Sequence, residues 1–215
     1  MMPFTTGQFL DVFAAYNRAV YPMQFVLVLM ASVAIYLSFR RSDESSRFVS
    51  AILAFFWLWM GVVYHGLFFA KINEAAFLYG AFFVGQSIIL LHAGFLREQL
   101  SFHFRRSTSC VAGAMLILYA LTIYPLLGRF LGHTYPHSPT FGLPCPTTIF
   151  TFGILLWTDK RIPWYVLPIP FVWSLIGFPA AVSLGIREDL ALPIAGLVTV
   201  LIVAHSRTQK VTNFS

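Results

Sequence analysis

The chain has 215 residues, 58% of them hydrophobic and only 10% charged. A soluble domain carries about 25% charged residues, and water does not accept this much apolar surface, so a soluble globular fold is excluded. The net charge of +6 does not mark a nucleic-acid binder. The basic residues sit in short clusters between apolar runs, and no zinc finger or RNA-binding motif accompanies them.

A spanning helix needs about 20 apolar residues. The expectation is therefore an all-α, polytopic transmembrane helix bundle of about seven spans, forming a single membrane domain over 1–215 with the lipid bilayer as its first partner. Residues 1–21 read as an interfacial segment, because Phe9, Leu10, Phe13 and Tyr16 recur at helical spacing while Asp11, Asn17 and Arg18 fall elsewhere. The first apolar run, Met23 to Phe39, is too long for the core of a signal peptide and has no cleavage site after it.

Spans are expected near 22–39, 48–69, 73–96, 110–127, 147–157, 164–184 and 189–205. Asn73 is placed to cap the third, with Glu74 in its first turn, and Asp189 to cap the seventh. The fifth is short and is expected to borrow length from the Gly-, Pro- and His-rich loop 128–146. The sixth carries Pro168, Pro170 and Pro179. Proline removes a helical donor, so this span is expected to be broken and to hint at a cavity.

Lysine and arginine sort by side. Arg40, Arg41, Arg47, Arg97, Arg105, Arg106, Lys160, Arg161, Arg207 and Lys210 fall on one side, and Arg18, Lys71, Arg129 and Arg187 on the other. This bias predicts a cell-membrane protein with a cytoplasmic C-terminus and an outer N-terminus. Cys110 and Cys145 then lie at opposite ends and cannot be bridged.

A shift of 116 residues lays Phe55, Trp57, Gly61, Lys71 and Asn73 on Phe171, Trp173, Gly177, Arg187 and Asp189. That pattern raises a 3+1+3 parallel repeat around the fourth span. Chance matching in an aromatic-rich chain is the competing explanation.

Residues that could carry chemistry gather at the outer end: His65, Lys71, Asn73, Glu74, His133, His137, Cys145, Arg187, Glu188 and Asp189. His133, His137 and Cys145 have ligand types suited to zinc or copper, although Pro136 and Pro139 oppose the helix that would put both histidines on one face. A nucleophile and base could be drawn from the same set, but no HExxH or GxSxG motif is present. Helix N-termini beside Lys71 and Arg187 suit a small polar or anionic solute. Within the membrane Gln86 and Tyr119 are candidates for a deeper path, Tyr119 sharing a helix face with Thr122, or else for bonds between helices.

The strings from Trp59 (WMGVVYHGLFFAKINEAA), from Tyr124 (YPLLGRFLGHTYPHSPTFGLPCPTTIFTFG) and FVWSLIG resemble an uncharacterised family of bacterial multi-pass membrane proteins, a domain of unknown function. The resemblance implies a bacterial inner-membrane location and lends no activity. The layout is similar to that of the seven-helix sugar facilitators, without their proline-glutamine dipeptide. The Ser, Asp and three-His pattern of seven-helix ceramidase-type hydrolases cannot be laid out on these spans. Three functions are weighed: a small-solute permease or membrane binding protein using His65, Asn73, Glu74, Gln86, Tyr119, Arg187 and Asp189, an intramembrane metal enzyme, and a non-catalytic subunit of a membrane complex.

Overall fold

A computed structural model describes residues 3–212, with side chains as far as Ser206. Met1 and Met2 of the expected interfacial segment, and the side chains of Arg207 and Lys210 counted among the basic clusters, lie outside the described residues. The described chain is helical, with only two isolated β-bridges.

Helix α1 (Thr6–Ala19) opens with a capping box, in which Thr5 accepts from the Gln8 amide and the Gln8 side chain accepts from Thr5 N–H. It meets α2 (Met23–Leu37) at 83°, so α1 lies crosswise to the bundle. Its buried face, Val12, Phe13 and Tyr16, packs against Tyr64, Phe68 and Phe69. Helix α3 (Asp43–Lys71) starts from the Ser42 cap, and α4 (Ala76–Leu96) returns antiparallel beside it. Helix α5 (Thr108–Phe130) starts from the Ser107 cap. After a long loop come α6 (Pro144–Leu155), α7 (Trp164–Leu184) and α8 (Ala191–Thr212), the last entered through a 3-10 turn, Arg187–Leu190.

Five of these helices are long and apolar enough to cross a membrane, and six if the bent pair α1–α2 forms one span. Seven were expected. Helix α6 has 12 residues, about 18 Å at the α-helical rise, well short of a hydrocarbon core of about 30 Å. It is the most enclosed helix, every residue but Cys145 being buried. The loop before it reaches into the bundle, where Phe141 packs on Phe56 and Phe150.

Three helices depart from α geometry. Met60–Phe68 in α3, Leu91–Leu96 in α4 and Tyr119–Ile123 in α5 are π-helical, a form frequent at functional sites. The break expected in α7 is milder. After a 3-10 turn, Trp164–Val166, Pro168 and Pro170 sit in the first turn of the α-helical part, Pro168–Leu184, where a missing N–H has no helical partner, and only Pro179 lies inside. The helix ends at Gly185, whose φ of 74° closes the last turn.

Glycines set the closest helix approaches. A Cβ on Gly61 would stand 2.8 Å from the Gly80 carbonyl oxygen of α4, and one on Gly113 would stand 2.5 Å from the Gly153 carbonyl of α6. Close backbone approach of this kind is how helices associate in lipid, where no water drives apolar faces together. Phe25, Leu29, Phe77, Ile88, Met115 and Leu201 are more than half exposed on the outside, an apolar surface compatible with lipid contact.

The loops joining α2 to α3, α4 to α5 and α6 to α7 meet at one end of the bundle. Arg47 pairs with Glu98, Lys160 donates to the Glu98 carbonyl, and His103 N–H donates to the Trp157 carbonyl. Ser206 of α8 borders the same region as Arg105, Lys160 and Arg161. Pro3, Phe4 and α1 lie at the other end, with the long loop. Both cysteines are free. Cys110 lies against the C-terminal end of α6 and Cys145 at its N-terminal end.

Two of the five matched pairs of the 3+1+3 repeat play unlike parts. Trp57 is in the core and donates to Thr151, while Trp173 borders a cavity. Asn73 accepts from Ala75 N–H in a local turn, while Asp189 is buried and bonded to other helices. Gly61 and Gly177 agree, each facing the helix that follows, and Lys71 and Arg187 are both exposed.

Candidate functional site

At the end that holds α1, a cavity of about 470 Å³ opens between α1, α3, α4, α5, α6, α7 and the turn before α8. Phe9 and Phe13 of α1, Tyr64 and Phe69 of α3, Tyr79 of α4 and Trp173 of α7 form its aromatic walls. Asn73, Cys145, Tyr124 and Asp189 supply its polar groups. The rings lock edge to face: Phe9 on Phe69 at 5.7 Å and Tyr79 on Trp173 at 5.7 Å between centroids.

The π-helical stretches produce this lining. In an ordinary helix residues five apart point roughly 140° apart, whereas i→i+5 pairing brings them to one face. Tyr64 and Phe69 are five apart and stack at 5.7 Å. Tyr119 and Tyr124 are five apart, with centroids at 6.2 Å. Thr122, expected beside Tyr119, is instead exposed, and Tyr124 takes the inner position.

Asp189 is 5% exposed and its neighbour Glu188 fully buried. The Tyr124 hydroxyl donates to the Asp189 carboxyl, and Cys145 lines the same cavity. His133 Nδ1 stands 2.7 Å from Glu188 Oε1, and the Tyr119 hydroxyl donates to the Glu188 carbonyl at 2.8 Å. Glu188 Oε2 has no partner. Gly128 leaves the room for this carboxylate, since a Cβ there would stand 3.0 Å from Oε1. Tyr124 also borders a second groove, of about 620 Å³, shared with His133, Gln24 and Tyr135. The Tyr124–Asp189–Glu188–His133 chain thus stands between cavity and groove.

The expected site residues divide. Asp189, Cys145 and Asn73 line the cavity, and Tyr119 and His133 join it through Glu188. His65 lies just behind the wall, fully buried, among Phe83, Trp173, Tyr79 and Tyr64, with neither ring nitrogen bonded. Gln86 is away from the cavity and donates to the Val166 carbonyl at 2.9 Å, tying α4 to α7. Glu74 and Arg187 are exposed, and Lys71 lies over the Phe68 ring.

The zinc or copper site expected of His133, His137 and Cys145 is not assembled. His133 turns to Glu188, Cys145 lines the cavity, and His137 pairs at the surface with Asp11 at 3.5 Å. Among the described residues no three His, Cys, Asp or Glu side chains group as metal ligands. Asp189, expected as the cap of the last span, lies inside the 3-10 turn Arg187–Leu190, with its carboxyl accepting from Tyr124 of α5.

Asn17 is the residue whose weight sequence reasoning missed. Fully buried in α1, it donates to the Pro136 and Ser138 carbonyls at 2.7 and 2.8 Å and accepts from the Thr140 hydroxyl at 2.7 Å. It therefore fixes the long loop to α1. Its signal was its place as a polar residue one step from the aromatic stripe.

No curated protein and no solved structure matches this chain. The profile of a family of unknown function, DUF6064, matches residues 6–213, nearly the whole chain, and the protein belongs to that family.

Proposed function

We propose that this chain is a multi-pass membrane protein that binds a small solute in the aromatic cavity, as a permease or a membrane binding protein. The end rich in arginine and lysine faces the cytoplasm, and α1 lies along the outer interface over the cavity. The observation that carries this reading is a cavity of about 470 Å³ with aromatic walls and a few convergent polar groups, the usual character of a small-molecule site. The charge there does not favour the anion that sequence reasoning allowed. Lys71 and Arg187 are exposed, while Glu188 and Asp189 are buried beside the cavity.

The test is thermal unfolding of the purified protein in mild detergent with a panel of small amines, sugars, amino acids and carboxylates. The comparison is Ala180→Trp, which fills the cavity from α7. A solute at 100 times its Kd adds about 2.7 kcal/mol of stability, so at least one solute raises Tm by several degrees in the wild type and not in Ala180→Trp. No shift with any solute, or equal shifts in both proteins, overturns the reading.

A further inference from the structure

We infer that the cavity takes an organic cation with an apolar body, an amine or quaternary ammonium whose charge is met by Asp189 and by aromatic ring faces. This rests on the solute-binding reading above and narrows it.

Three observations converge. The walls come first. Phe9, Phe13, Tyr64, Phe69, Tyr79 and Trp173 all line one cavity, and ring faces carry the negative part of the aromatic quadrupole, which attracts cations. A sugar would need many polar partners, and the lining offers few: Asn73, Cys145, Tyr124 and Asp189.

The second is the local charge. Glu188 and Asp189 are adjacent and buried, and His133, half-buried, is the basic side chain in contact with the pair. The lysine and arginines of that end do not answer them: Arg18, Arg129 and Arg187 are exposed and Lys71 sits over Phe68. A buried carboxylate without a cation is costly. Of the two acids, Glu188 is paired with His133, while Asp189 borders the cavity and receives the neutral donor Tyr124.

The third is shape. The cavity's volume of about 470 Å³ falls within the range of roughly 300–1,000 Å³ typical of small-ligand sites. It has room for a single aryl group beside an ammonium.

The probes are benzyltrimethylammonium as cation, benzamide as neutral and benzenesulfonate as anion. Each is titrated calorimetrically into the full chain in detergent, with Ala180→Trp giving the micelle background. The expected result is binding of the cation at least tenfold tighter than either other probe, with that preference lost in Asp189→Asn. Trp173→Leu weakens the cation more than benzamide, which keeps the test decisive if Asp189→Asn does not fold. Equal binding of cation and benzamide, or no binding of the cation, overturns the inference. Benzamide binding that Ala180→Trp abolishes leaves the solute-binding reading standing while the cation inference fails. No binding by these probes together with no shift from the solute panel removes both.

Discussion

His65 brings two unbonded ring nitrogens into a pocket of ring edges, with no carboxylate or carbonyl in reach. A buried polar atom without a partner costs about 1–3 kcal/mol, so His65→Phe is expected to keep or raise Tm. A fall in Tm together with loss of ligand binding would mark His65 as a functional group. Asn17 is the opposite case. Asn17→Ala strands two loop carbonyls and the Thr140 hydroxyl, and is expected to cost roughly 2–4 kcal/mol, some of it softened by water at the partly exposed loop. Denaturation monitored by fluorescence measures this; a loss below about 0.5 kcal/mol contradicts the clamp. At this scale the sequence was legible in part. Asp189, Cys145 and His133 could be singled out because ionisable or reactive groups beside apolar spans are unusual. Their partners could not, because Glu188 and Asp189 also fit the pattern of helix caps and only the third dimension tells a cap from a buried pair.

The elements were legible where length alone decides. Apolar runs of about twenty residues have few alternatives in a bilayer, and α3, α4, α5, α7 and α8 fall close to where the runs lie. The short α6 was seen as short, and its loop was expected to lend it length. What periodicity could not reveal was the π register, since a reading at 3.6 residues per turn places Tyr124 away from Tyr119. Inserting an alanine after Leu121 puts Tyr119 and Tyr124 six apart, roughly 120° around an α-helix, and should swing Tyr124 off Asp189. The expected outcome is a folded protein that has lost ligand binding, read by size-exclusion chromatography and calorimetry; undiminished binding contradicts the part given to this register. The glycine crossings make a second claim at this scale. Gly113→Val drives a side chain into the Gly153 carbonyl and Trp157, and such overpacking costs about 1–3 kcal/mol or more. Folded yield should drop sharply, and normal yield would show that α5 and α6 can separate freely.

Across the whole molecule, the clustering of arginine and lysine forecast which loops share an end, and Arg47, Glu98, Lys160, His103 and Trp157 meet there. The convergence of α1, α3, α5, α6 and the turn before α8 on one cavity was not forecast. It depends on residues 13, 64, 124, 145 and 189, far apart in the chain, and on a loop that dips between helices. The orientation assigned here predicts that a membrane-impermeant maleimide labels Arg187→Cys in intact cells, and labels Lys160→Cys only after permeabilisation; the reverse pattern inverts the topology. The central claim is that the cavity beneath α1 binds and admits a solute. Its most direct measurement is uptake of radiolabelled benzyltrimethylammonium into proteoliposomes holding wild type or Ala180→Trp. Saturable uptake by the wild type and background uptake by Ala180→Trp is the predicted result, whereas saturable uptake at equal rates in both would place any transport path outside this cavity and contradict the account.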